Sequence, residues 1–148
     1  MSKRISVTVA AVAQRDGRFL LVEEHTDQGL RLNQPAGHLE PGESLLAGVA
    51  RETLEETAWR FAPGWLLGIY RWEHSGSGVT YVRFAFGGSL LAHEADRRLD
   101  EGIVRAVWLT PEELRLQSAR HRSPLVQRCV NDHLAGRRYP LDLLVDQE

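Results

Sequence analysis

The sequence predicts an α/β or α+β fold, a mixed sheet covered by helices, and three observations predict it. Short apolar runs rich in valine and aromatic residues recur at residues 5–13, 18–25, 65–72, 80–91 and 103–110, and such runs read as strands. Between the second and third run the apolar period lengthens from two to nearly four, which marks a helix. Two more helix starts, Thr110-Pro111 and Ser123-Pro124, follow the later strands. Strands with two or three interspersed helices imply helices packed on a mixed sheet.

Each element has its own signal. ISVTVAAVA (5–13) is the first strand. Asp16-Gly17 signals a tight turn, so RFLLVEEH (18–25) closes a hairpin. DQGLRLNQPAG (27–37) reads as an irregular loop around one short extended piece. Pro41-Gly42 marks a turn, and Ser44 is a helix N-cap. From there Leu46, Val49, Ala50, Thr53 and Thr57 share one side of a helix. After Pro63-Gly64 come the strands WLLGIYRW (65–72) and TYVRFAFGGSLL (80–91), joined by SGSG (75–78). AHEADRRLDEG (92–102) is a polar loop and IVRAVWLT (103–110) a strand. Pro111 then opens a helix in its first turn. A last helix runs from Ser123-Pro124 to about Gly136.

The 148 residues suit a single domain, 1–148, with no repeat or linker. A formal net charge of -2 excludes the basic excess of a general nucleic-acid binder, yet leaves room for a small phosphorylated ligand. The single cysteine, Cys129, excludes an intrachain disulfide and a CxxC zinc site; it reads as a small apolar residue on a helix. No run of about 18 apolar residues predicts a membrane span. Lys3, Arg4 and Ala11-Val12-Ala13 imitate a secretory leader. Ser6 and Thr8 interrupt it, so the expected location is the cytoplasm.

The chemistry concentrates in GHLEPGESLLAGVARETLEETAW, residues 37–59. Glu52, Glu55 and Glu56 fall at i, i+3 and i+4 on one helix face, away from the apolar one. Three carboxylates without an interleaved lysine make a poor salt-bridge surface and a good site for a hard divalent cation. Taken alone they read more simply as a solvated acidic face. Gly48, one turn earlier, leaves clearance at about 0.5–1 kcal/mol relative to Ala.

The full spacing is Gly37, five residues, Glu43, seven residues, Arg51-Glu52, two residues, Glu55-Glu56. It resembles the Nudix box, G-x5-E-x7-R-E-U-x-E-E-x-G-U. The resemblance implies an α/β/α sandwich and metal-dependent hydrolysis of a phosphoanhydride. It implies Mg²⁺, with Mn²⁺ the alternative, held by Glu52, Glu55 and Glu56 with the Gly37 carbonyl. Glu43 and Arg51 are expected as an ion pair tying loop to helix. Which carboxylate acts as base is left open, as is the number of metals. Asp100 or Glu101, in a loop, could join the site or be solvated turn acids. Thr53, Ala58 and Trp59 depart from the pattern, which puts the helix end in question and leaves the chemical positions intact.

Beyond the box, LNQPAGHLEPGE, VRFAF, HRSPLV and GRRYPLDL resemble a bacterial phosphatase subgroup of that family. This implies release of inorganic phosphate from nucleoside tri- and diphosphates, and from thiamine or hydroxymethylpyrimidine pyrophosphate. The alternatives are cleavage of an internal phosphoanhydride in a nucleoside diphosphate linked to another group, and a non-catalytic binding module. Expected substrate contacts are Arg83, Arg122, His38 and Glu101, with Arg120 beside Arg122 at a helix start. Trp72 and Tyr81 read as core aromatics or as a stacking surface. Arg137 and Arg138 read as solvated. Monomer and dimer both remain open.

Overall fold

The computed structural model describes residues 3–147. Eight strands and three helices follow in order. They are β1 (Ile5–Val12), β2 (Gln14–Arg15), β3 (Arg18–Thr26), β4 (Gly29–Asn33), β5 (Ala36–His38), α1 (Leu45–Thr57), β6 (Trp59–Glu73), β7 (Thr80–His93), β8 (Ile103–Leu109), α2 (Pro111–Leu116) and α3 (Leu125–Leu134). One sheet has the order β5-β1-β7-β6 and is mixed: β1 runs parallel to β7 and antiparallel to β5. In the second sheet β3 pairs with β2, β4 and β8, all antiparallel.

Alternation along β1 sends side chains to two cores. Val9 and Ala11 join Leu66, Phe86 and Val49 of α1. Val12 faces the other way, with Leu67, Ala85, Leu114 of α2 and Val126, Cys129 and Val130 of α3. Fully burying one such side chain contributes about 1.5–3 kcal/mol, so α1 and α3 are each fixed to opposite faces of the first sheet. Cys129 is buried as a small apolar residue. Among the described residues no helix is long and apolar enough to cross a membrane.

The sequence reading placed a strand at residues 65–72; β6 instead starts at Trp59 and passes through Pro63-Gly64. The register shifts between Pro63 and Trp65, so the proline lies at an irregularity where its missing donor is tolerated. Gly88 lies opposite, where a Cβ would sit 2.1 Å from the Ala62 carbonyl oxygen. The segment 27–37, read as an irregular loop around one short extended piece, contains that extended piece as β4 and also the start of a second strand, β5. Tertiary pairing with β3 and β1 makes them strands, since local alternation there is weak.

Candidate active site

Helix α1 starts where expected: the Ser44 side chain accepts a hydrogen bond from the Ala47 backbone N–H. Its buried side, however, carries Glu52 and Glu56 together with Val49, Thr53 and Thr57. The expectation that the glutamates stand apart from the apolar face is therefore corrected. Glu52 and Glu56 are only 9% and 8% exposed. They turn inward because β5 crosses over them. At Gly37 a Cβ would lie 2.2 Å from the Glu52 carboxyl carbon, so any side chain there would push the Glu52 carboxylate out of its place. The neighbouring Ala36 N–H donates to Glu56 Oε1 at 2.9 Å.

Burial governs the electrostatics of these acids. It pushes the Glu56 carboxyl up to about 9, helped by the nearby charges of Glu52, Glu24 and Asp100. Glu52 is raised too, again mainly by burial, while Arg51 pulls the other way. These are hard oxygen donors in a desolvated place with excess negative charge, which fits a divalent cation. Among the described residues no three acidic, histidine or cysteine groups already converge as a cage. Of the three box acids, Glu52 and Glu55 are bonded to Arg51.

Arg51 is the hub of the box. Its Nε and Nη2 donate to the two Glu43 carboxylate oxygens at 2.6 and 2.9 Å. Its Nη1 donates to Glu52 Oε1 at 2.8 Å and to Glu55 Oε1 at 3.0 Å, and Nη2 reaches the His38 carbonyl. The expected Glu43–Arg51 pair is thus present as a bidentate fork, the strong geometry for this pairing. Gly48 leaves space for Glu43 rather than for a cation: a Cβ there would meet Glu43 Oε1 at 2.9 Å.

The three departures from the box have local accounts. Thr53 donates its hydroxyl to the Val49 carbonyl and Thr57 donates to that of Thr53, so neither buried hydroxyl is orphaned. Ala58 adopts φ 64 and ψ 13, the left-handed cap usually given to glycine, and its N–H caps Leu54. Trp59 stacks on His93 and meets Trp108 edge-on.

A cleft of about 590 Å³ opens beside these carboxylates, lined by Glu52, Glu56, Gly37 and His38 at one part and by Trp72, His74, Tyr81, Arg83 and Arg122 elsewhere. Its size is that of a small-molecule site. Arg83 is buried, at 6% exposure, and donates to Gln34 Oε1 at 2.8 Å and Asn33 Oδ1 at 3.0 Å. It is no surface ion pair. His38 lines the cleft and its Nδ1 bonds with the Ser6 hydroxyl at 2.7 Å. Arg122 also lines it, paired with Glu24 at 3.1 Å.

Arg120 and Glu101, expected near substrate with a solvated role as the alternative, both lie outside the cleft lining. Arg120 turns away from the cleft and pairs with the buried Glu23, which Arg105 also holds. Glu101 sits exposed in a turn and does not line the cleft. Its neighbour Asp100 is the acid coupled to the box, because its N–H docks on the Glu55 carbonyl. Burial and then the Glu55 charge raise its carboxyl. The turn closed by the Ile103 N–H on the Asp100 carbonyl leaves Glu101 facing solvent. Sequence reasoning missed Gln34, Asn33 and Glu24. The adjacent amides Asn33-Gln34, set between Leu32 and Pro35, were the available signal.

Comparison with known proteins agrees with this geometry. Residues 2–129 match the NUDIX domain family. Phosphatase NudJ of Escherichia coli O1:K1 / APEC is 36% identical over 140 residues, covering 95% of this chain and 90% of that protein. A NUDIX hydrolase from Nitrosomonas europaea superposes with a TM-score of 0.95 at 50% identity, covering 97% of this chain and 98% of that one. The MutT protein from Methanosarcina mazei Go1 shares the fold, with a TM-score of 0.75 at 23% identity over 93% of this chain and 99% of that chain. The chain belongs to the NUDIX hydrolase family, enzymes that act on phosphoanhydride-type substrates, and is similar to the phosphatase NudJ within it.

Proposed function

We propose that this hydrolase releases inorganic phosphate from nucleoside tri- and diphosphates and from thiamine-type pyrophosphates, with Mg²⁺ as cofactor and Mn²⁺ as the alternative. Glu56 carries the reading. It is a buried box carboxylate that, among the described residues, receives one backbone N–H and no arginine, beside a cleft large enough for a nucleotide. The similarity to a protein named as a phosphatase supports phosphate as the product.

Glu52, Glu55 and Glu56, with the Gly37 carbonyl, would hold the cation. When bound, the ion offsets phosphate charge and acidifies a water for attack. The chain itself orients these groups. Ala36 fixes the Glu56 carboxyl, and Arg51 holds Glu52 and Glu55 on the same side of α1. His38, Arg83 and Arg122 supply polar groups to the cleft in which the substrate would lie. A terminal cut requires the end phosphate over the box and weak demands on the rest of the molecule.

The test uses a nucleoside triphosphate with Mg²⁺ and no added pyrophosphatase. Early products should be nucleoside diphosphate and inorganic phosphate. Direct formation of monophosphate and pyrophosphate would overturn the terminal cut and leave the family assignment standing.

A further inference from the structure

The sheet that floors the cleft places two different kinds of side chain on adjacent rows. Pairing across strands sets His38, Thr8, Arg83 and Tyr70 in one row, and Ser6, Tyr81 and Trp72 in the next. Residues two apart on a strand share a face and lie about 7 Å apart. So Arg83 and Tyr81 point to the same side, one row from each other. His38 lies two strands from Arg83, about 10 Å at the usual strand spacing.

The first row holds an unusual cation. Arg83 is nearly sealed from water, yet its partners are the neutral amides of Gln34 and Asn33 and, at 3.9 Å, the Cys129 sulfur. Gln34 is 1% exposed and donates its own Nε2 to the Val126 carbonyl at 2.9 Å, which fixes its oxygen toward Arg83. Among the described residues no carboxylate pairs with Arg83, while Glu24 in the same cleft is taken by Arg122. Buried charges are normally paired, and a guanidinium has five N–H donors. Arg83 is held in place with donors to spare and no counter-charge.

The second row holds a stack. The Trp72 and Tyr81 rings lie 5.7 Å apart at 19°, and His74 meets Trp72 edge-on at 5.3 Å. His74 is itself anchored by Ser77, whose backbone N–H donates to Nδ1 at 3.0 Å. All three rings line the cleft and stay partly exposed. A core role does not need a stacked pair open to a cleft.

We infer that Arg83 and the Trp72–Tyr81 pair form a two-point subsite for the part of the substrate that is not cleaved. The guanidinium takes a phosphate, and the aromatic pair takes a flat ring joined to that phosphate by a short linker. The ligand class is a heteroaromatic phosphoanhydride whose ring lies about one strand row from its inner phosphate. Rings stack on aromatic faces with little regard to their edge groups, which gives selection for a ring without selection among bases. This inference rests on the phosphohydrolase reading above.

The experiment measures binding and turnover separately. Calorimetry with α,β-methylene adenosine diphosphate, which resists cleavage at its bridge, reads the subsite. Phosphate release from thiamine pyrophosphate and from inorganic tripolyphosphate reads KM with and without a ring. Arg83→Gln should weaken binding of the methylene compound and raise KM for both substrates at least tenfold. Trp72→Ala and Tyr81→Leu should raise KM for thiamine pyrophosphate at least tenfold more than for tripolyphosphate. Arg83→Lys, which keeps the charge without the fork, should fall between wild type and Arg83→Gln and serves if the glutamine variant does not fold. Unchanged binding in folded Arg83 variants, or equal losses on both substrates in the aromatic variants, would overturn the subsite. Normal subsite behaviour in calorimetry with no phosphate release would overturn the proposed reaction instead.

Discussion

Arg51 is surrounded by the carboxylates of Glu40, Glu43, Glu52 and Glu55 at 2.6–3.6 Å. Arg83 has two amide oxygens at 2.8 and 3.0 Å, the Cys129 sulfur at 3.9 Å and, among the described residues, no acid. The two guanidiniums are chemically the same, and their surroundings assign them different work. Arg51 finds its counter-charges inside the protein, so it organises the box. Arg83 has its counter-charge still to come, so it faces a ligand. The acids divide in the same way: Glu43 is neutralised by Arg51, whereas Glu56, with no arginine or lysine against it among the described residues, is held toward its protonated form by burial. A charge matched within the fold holds structure, and a charge left unmatched beside a cleft marks a site.

The largest effect should come from the unmatched acid. Glu56→Gln keeps shape and removes the carboxylate a cation would need, so kcat should fall by at least about 100-fold while the circular dichroism spectrum stays native and unfolding stays cooperative. Near-full Mg²⁺-dependent turnover in the folded variant would remove Glu56 from the metal set.

Next come the two arginines, compared by denaturant unfolding. Arg51→Ala strands Glu43, Glu52 and Glu55 together, and should cost about 3 kcal/mol, the low end for breaking a buried pair. Arg83→Gln removes an unmatched charge and keeps an amide donor for Gln34. Its stability should change by no more than about 1 kcal/mol. Equal losses in both variants would erase the distinction between them.

Proton linkage should separate the two acids by sign. The Arg51 hydrogen bonds hold the Glu43 carboxyl below its ordinary value of 4.5. Its stabilisation is therefore complete above pH 4.5 and is lost as pH falls through the folded-state value. Glu56 is raised from 4.5 to about 9. In the metal-free protein its contribution is greatest below pH 4.5 and declines as pH rises toward about 9. Melting temperatures across pH should thus lose a slope below pH 4.5 in Glu43→Gln and a slope between pH 4.5 and about 9 in Glu56→Gln. Added Mg²⁺ should flatten the second slope only.

The smallest effect lies at the end of α1, where no charge is involved. Ala58 holds a left-handed conformation that costs an L-residue about 1–2 kcal/mol, partly offset by the buried methyl, worth about 0.8 kcal/mol. Ala58→Gly should stabilise the protein by a few tenths to about 1 kcal/mol, measured by thermal unfolding, with activity unchanged.

The box was legible because its chemistry depends on short-range order. Glu52, Glu55 and Glu56 share a helix face at any location in a fold, and Glu43 lies a fixed eight residues from Arg51. The strands of β1, β3 and β7 were legible for a similar reason, since their alternation is written locally. The local strand and helix patterns thus determined the fold class, and the box spacing carried the resemblance that implied the Arg51–Glu43 pair. Tertiary structure decided everything that depends on contact across long separations. Ala36 and Gly37, on an edge strand made by pairing with β1, bury Glu56 and Glu52. Arg83 meets Asn33 and Gln34 across some fifty residues, and Asp100 rather than Glu101 docks on α1. Burial and electrostatic environment are sums over neighbours that the chain brings together only by folding, so whether a charge is matched or waiting cannot be read from its place in the sequence.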